Sequence, residues 1–246
     1  MRRTLILLML FAAVPLFADG PAGPDLRFFE PVLIPIVFNG HGALGSEWRT
    51  DFVIRSATDA LVPTYRPIHS RGIFGGITAP DLIGERPRGY VMYVHRDFVN
   101  ALSYGINVRE VSRNGDDVPT RVPVVRERDF TIHETSLLNV PTSPRFRLQL
   151  RVYGLTGPIP LRVTLYTASG WKSEGTLAAQ PPQADDEPYF GSLDLTRLLI
   201  GTSARPANEA VHALITPVSH DNIIPYWAWI TVTDNDTQRV TFVAPQ

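Results

Sequence analysis

RFRLQLRVY, residues 145 to 153, alternates without error: Phe146, Leu148, Leu150 and Val152 point one way, Arg145, Arg147, Gln149 and Arg151 the other. Side chains on an extended backbone repeat every two residues, so only a β-strand gathers those four apolar groups on one face. The same device recurs in both directions along the chain. Downstream, PLRVTLY places Leu161, Val163 and Leu165 together; upstream, the run from Trp48 to Ser56 aligns Trp48, Phe52 and Ile54, and SYGINVREV aligns Tyr104, Ile106 and Val108. Strands at intervals of about 10 to 20 residues, broken by Gly, Pro and Asp turns and without a long 3.6-residue period, predict an all-β chain of sandwich type.

Size and composition set the limits. The chain has 246 residues, 44% of them hydrophobic, and no cysteine, so its cores carry the stability without disulfides. The N-terminus opens on Arg2 and Arg3, runs through an apolar stretch from Leu5 to Phe17, and offers Ala18 as a small residue at a cleavage point. This is the pattern of a secretory signal peptide, residues 1 to 18; the apolar run, interrupted by Pro15, is short for a membrane span of about 20 residues. The mature chain is therefore expected to carry no integral membrane span and to be secreted, whether periplasmic, cell-surface or extracellular. Without those residues it holds 21 basic against 24 acidic groups, a net of −3. No basic footprint for phosphate neutralisation exists, so nucleic acid is not an expected partner.

Two halves follow. PVLIPIVF (residues 31 to 38) reads as a first strand, confined by its prolines to an edge or a strand start. Residues 64 to 89, crowded with Gly and Pro, either hide a short strand around Ile73 and Phe74 or form a surface loop. YVMYVH continues the first half, Asn114 to Asp117 has tight-turn chemistry, and VPVVRERDFTIH supplies strand material up to His133. LLNVPTSP, with Pro141 and Pro144, reads as the passage between domains, giving a first sandwich over residues 25–140 and a second over 141–246. The second continues with YFGSLDL, AVHALITPV and the closing pair YWAWITVT and QRVTFV. Asp234, Asn235 and Asp236 between that pair predict a hairpin. AAQPPQADDEP, residues 178 to 188, is polar, acidic and suited to water.

Most motifs dissolve on inspection. Gly40, Gly42 and Gly45 spell G-x-G-x-x-G after an apolar strand, but the dinucleotide fingerprint needs a helix next, and SEWRTDFVIRS alternates like a strand. No cofactor is expected. His133 and Glu134 lack the second histidine that a zinc helix requires, and the six histidines are scattered, so no metal site is expected. Ser169 and Lys172 form S-x-x-K without the two further motifs of penicillin-recognising enzymes. Asp234 to Asp236 and Asp185 to Glu187 offer oxygen ligands to calcium but no twelve-residue loop. An outer-membrane barrel is disfavoured by 22 prolines and unequal strand lengths.

The aromatic cluster YWAWITV carries the one binding interpretation. Trp227 and Trp229 share a face about 7 Å apart, fit to stack on sugar rings if exposed, with Trp171 a further candidate. Packing between sheets or domains is the plainer account of the same rings.

GALGSEWRTDFVIRS, VPVVRERDF, LLNVPTSPRFRLQLRVY and WAWITVTDNDTQRVTFV together resemble secreted bacterial proteins built of immunoglobulin-like or fibronectin-III-like β-sandwich domains. The resemblance implies two tandem immunoglobulin-like sandwiches behind a signal peptide, and transfers no functional residue. The expected function is non-enzymatic: a structural, adhesive or protein-interaction role with an unknown protein or glycan partner. A carbohydrate-binding module using Trp227, Trp229 and Trp171 is the alternative. A hydrolase whose site is assembled only by folding comes third.

Overall fold

A computed structural model describes residues 25–57, 62–66, 70–74, 86–112, 119–200, 209–218 and 224–245. The signal segment and the Asn114 to Asp117 turn lie outside the described residues. The chain is all-β. Its strands are β1 (Phe29–Ile34), β2 (Gly40–His41), β3 (Glu47–Ser56), β4 (Val62–Arg66), β5 (Ser70–Phe74), β6 (Tyr90–His95), β7 (Leu102–Glu110), β8 (Thr120–Arg121) and β9 (Val125–Arg126). They continue as β10 (Thr135–Val140), β11 (Phe146–Gly154), β12 (Pro160–Tyr166), β13 (Lys172–Ala178), β14 (Tyr189–Asp194), β15 (Val211–Pro217), β16 (Tyr226–Asp234) and β17 (Val240–Val243), with a six-residue helix α1 (Leu195–Ile200) before β15.

Four antiparallel sheets result. Sheet I has the order β5-β4-β6-β1-β9 and sheet II β2-β3-β7-β8; sheet III is β10-β15-β12-β13 and sheet IV β14-β11-β16-β17. Among the described residues no ladder joins the first pair of sheets to the second, and each pair encloses its own core. Val32, Ile34, Phe52, Ile54, Met92 and Ile106 anchor the first core. Leu148, Leu150, Leu161, Val163, Ala213 and Ile230 anchor the second. The period-2 stripes read from RFRLQLRVY and PLRVTLY are the inner faces of sheets IV and III, as their alternation requires.

The structure corrects several boundaries. β10 takes up Leu137 to Val140 of the stretch expected to be a passage between halves, and it pairs with β15. The strand material expected through His133 is limited to β9, followed by a 3-10 turn over Glu127–Asp129. β1 lies inside sheet I rather than at its edge; Pro31, near the start of the strand, is tolerated because β9 pairs only with Val32 and Leu33 and ends before it. β5 takes in Ile73 and Phe74, resolving the 64–89 alternative in favour of a short strand. β17 folds back on β16 through the Asp234 turn, where the Asp234 carboxylate accepts from the Asp236 and Thr237 amides.

One ion pair ties the rim of sheet I. Arg126 on β9 grips Glu30 on β1 in a two-pronged contact, Nε to Oε1 at 2.5 Å and Nη2 to Oε2 at 2.9 Å. A planar guanidinium matched to a carboxylate is the strong form of such a contact. It holds the Glu30 carboxyl below the usual glutamate range.

Candidate functional site

Sheet IV is apolar on both faces at its Tyr153–Trp227 end. Its inner face carries Leu148, Leu150, Val152, Ala228 and Ile230 into the second core. Its outer face begins with a row of Phe190, Tyr153 and Trp227, followed by a row of Ser192, Arg151 and Trp229, as the register of β14, β11 and β16 requires. Tyr153, Trp227 and Trp229 are not solvent-facing: they join the buried cluster of the first sandwich, as do the partly buried Phe190 and Phe242. The outer face is therefore the floor on which the first sandwich rests.

The expected sugar platform lies inside this junction. Trp229 is 0% and Trp227 7% exposed. Phe242 stacks on Trp229 at 4.2 Å between ring centroids, Tyr153 meets Trp227 at 5.9 Å, and the two indoles are 5.4 Å apart with planes inclined by 39°. Their faces are occupied by protein. Trp171, half-buried, packs against the second core on the far side of sheet IV and shares nothing with the pair.

Polar groups lock the junction. The Tyr153 hydroxyl, fully buried, donates to the Pro35 carbonyl at 2.7 Å, and burial pushes its pKa up. The loop expected to lie in water instead docks: Asp186 is 0% exposed, its carboxylate lies 3.4 Å from Arg86, and its carbonyl accepts from the Val91 amide at 2.7 Å. Arg88 reaches Glu187 at 3.8 Å and donates to the Pro181 carbonyl at 3.0 Å. Thr131, between the halves, exchanges both backbone hydrogen bonds with Tyr226, and Thr120 Oγ1 donates to the Val240 carbonyl at 2.5 Å.

Past Trp229 the outer face changes character. The next rows of sheet IV are Asp194, Gln149, Thr231 and Phe242, then Arg147, Thr233 and Val240. Here the two sandwiches part to leave a cleft of about 690 Å³, roofed by Ile36, Phe38, Trp48 and Val108 of the first sandwich. A volume of this size is within the ordinary range of small-molecule sites. The roof depends on the glycine loop singled out by sequence. A Cβ on Gly42 would stand 2.4 Å from Trp48 Nε1, and that indole nitrogen donates to Ser46 Oγ at 2.9 Å. The G-x-G-x-x-G match thus serves a close approach of backbone to a tryptophan, and the loop closes in a 3-10 turn before β3, with no helix to hold a pyrophosphate.

The charge in the cleft is uneven. Asp194 is compensated by Arg197 at 3.3 Å and accepts from the Thr196 amide. Arg147 donates Nη2 to the Gln238 side-chain oxygen at 2.8 Å, while its Nε–H, shielded from water, has no acceptor. Arg151 donates Nε to the Tyr153 hydroxyl, contacts the Pro87 carbonyl and stacks over Phe190 at 5.0 Å. Among the described residues, neither Arg147 nor Arg151 has a carboxylate partner.

The remaining motifs stay apart. Ser169 is bonded to Glu209 and Thr167 while Lys172 pairs with Glu174 at 2.9 Å, so S-x-x-K is two unrelated surface contacts around the Gly170 turn. His95 meets Asp97 at 3.7 Å within one turn, its ring lodged among Phe28, Phe29 and Phe98. His133 and Glu134 are exposed, His41 is exposed in β2, and His212 packs on Tyr166; His69 and His220 lie outside the described residues. Among the described residues no three metal-binding side chains gather, and no helix is long and apolar enough to cross a membrane. Compared with known proteins, the chain matches no family model, no curated protein and no solved structure.

Proposed function

We propose that this is an exported, non-enzymatic interaction protein, acting at the cell surface or outside the cell, whose tandem immunoglobulin-like sandwiches hold a partner in the cleft between them. The observation that carries the reading is the division of the outer face of sheet IV. One half is apolar and occupied by the first sandwich; the other is polar, open, and bears Arg147, with Arg151 on the row that borders it, neither offset by a carboxylate among the described residues. A sheet face spent wholly on joining two domains has no use for uncompensated guanidiniums beside a wide opening, whereas a recognition surface does. Export rests on the N-terminal basic and apolar run.

Blocking the cleft tests it. Thr233→Trp sets a bulky ring beside Arg147 on the cleft floor without touching either core. The purified protein, fixed to a sensor, is expected to retain polymers and proteins extracted from the producing cell's envelope, and the Thr233→Trp protein to lose that retention while melting at the same temperature. Retention untouched by the plug would overturn the reading. The carbohydrate module built on Trp227 and Trp229 is not carried forward, because their ring faces are packed against Phe242 and Tyr153. The hydrolase reading predicts turnover of ester, peptide or glycoside substrates; none is expected.

A further inference from the structure

We propose that the cleft binds an acidic saccharide, a pyranose carrying a carboxylate, with Arg147 as the group that receives the charge; the inference rests on the reading just given and names its ligand. Three observations converge. The first is electrostatic. Arg147, Arg151 and Arg88 border the cleft against one compensated carboxylate, Asp194, and among the described residues only Arg88 of the three has an acidic neighbour, Glu187. An anion in the cleft supplies the acceptor that the Arg147 Nε–H lacks.

The second is the type of donor on offer. The floor is the face of a sheet, not its edge. β11 is laddered to β16 along its whole length and to β14 from Gln149 onward, and the Leu148 amide donates to Thr196 Oγ1. Its backbone is therefore spent, and an extended peptide would find no main-chain partners there of the kind strand addition requires. What the floor presents is side chains, Gln149, Thr233 and Ser192, whose hydroxyl and amide groups suit a ligand rich in hydroxyls, with Thr231 Oγ1, which donates to the Gln149 carbonyl at 3.2 Å, left as an acceptor.

The third is the contrast between walls. Opposite that polar floor stand Phe38, Trp48 and Val108, with Phe242 closing the side. A pyranose has the same inequality, hydroxyls around its rim and an apolar C–H face, so the ring lies with its face to the roof and its rim to the floor. The carboxylate then meets Arg147. Arg151 is already engaged with Tyr153 and Pro87 and serves as a fixed positive charge beside it.

Calorimetry with trigalacturonate, its methyl ester and an acidic peptide of equal charge tests the assignment. The acid is expected to bind, the ester at least tenfold more weakly, and the peptide not at all, with affinity falling as salt rises. Arg147→Gln is expected to lose at least tenfold and Arg147→Lys less. Because Arg147 also holds Gln238 in the β16–β17 turn, the melting temperature of each variant is read alongside, and Gln149→Leu, which leaves that turn intact, must also weaken binding. Equal binding of ester and acid, indifference to Arg147→Gln, or preference for the peptide overturns the inference. If trigalacturonate fails to bind while envelope material is still lost on Thr233→Trp, the ligand assignment falls and the cleft reading stands. Envelope retention indifferent to that plug removes both.

Discussion

The two halves of the outer face of sheet IV are made by the same strands, yet one is core and the other is surface. At the Tyr153–Trp227 end, aromatic side chains pass into the first sandwich; six residues back along β11, at Arg147, the same face opens to solvent. The difference lies in one position per row. Where β16 contributes an indole the sandwiches close along the row; where it contributes Thr231 or Thr233 they touch only at the β17 end, through Phe242 and Val240, and part over the rest. Rigidity and access are thus written into one strand, and each half can be perturbed with the other as control.

Trp229→Ala is the largest such perturbation. Removing a fully buried indole that stacks on Phe242 should cost about 3–5 kcal/mol. Because Trp229 belongs to the first core while standing on a strand of the second, both sandwiches should melt earlier; two separated transitions by calorimetry, with only the first shifted, would show the junction to be inert. Asp186→Ala comes next, at about 2–3 kcal/mol. It leaves Arg86 without its buried partner, but that guanidinium is partly open to water, so the loss falls short of the 3–5 kcal/mol of a fully enclosed pair. Chemical denaturation reads the change, and a loss below half a kcal/mol would make the loop a passive cover.

Acid separates the sandwiches differently. The Glu30 carboxyl is held below its unfolded value by Arg126, so its contribution is fully present above about pH 4.3, the ordinary glutamate value, and is lost as pH falls through the lower folded value. Lowering the pH through and below that value should therefore weaken the first sandwich, by roughly 1–3 kcal/mol. In the second, the comparable contact of Asp234 is with Arg145, which is half-exposed and worth less. Amide exchange at low pH should show β1 and β9 opening ahead of β16 and β17; Glu30→Gln, which lacks the charge at every pH, should bring that order to neutral pH and remove its dependence on acid.

Much of this could be read from residues, and the exceptions have physical causes. Leu161, Val163 and Leu165 announce β12 because an inner face is enforced by burial on one side only. β13 was silent: as an edge strand it buries only Ser173 and Leu177, too little to print a stripe. β10 was hidden by a register shift between Leu137 and Val140, where Asn139 takes a φ of 56° and breaks the alternation. Helix α1 spans less than two turns, too short for a helical period to emerge. The junction was legible only as a choice: Trp227 and Trp229 opposite a core-facing stripe must be either displayed or covered, and local pattern does not say which. Asp186 was unreadable, since an acidic, proline-rich loop signals water unless an arginine waits a hundred residues away. Arg147 and Gln149 were correctly placed on the outer side of their strand, but a cleft exists only once the first sandwich has docked beside them.

Two small changes finish the comparison. Tyr153→Phe removes the hydroxyl that donates to the Pro35 carbonyl and accepts from Arg151, leaving a buried carbonyl without its donor; about 1 kcal/mol should be lost. Thr233→Val exchanges a hydroxyl for a methyl of similar shape on the open half. The side chain is half-exposed and no core depends on it, so stability should change by no more than about 0.5 kcal/mol. Binding should respond all the same, because a hydroxyl-lined floor recognises by hydrogen bonds and the substituted position has none to give. A melting temperature unchanged beside a several-fold weaker titration would mark this half as recognition surface. The converse result, a lowered melting temperature with binding intact, would make it scaffold like the rows beneath Trp227.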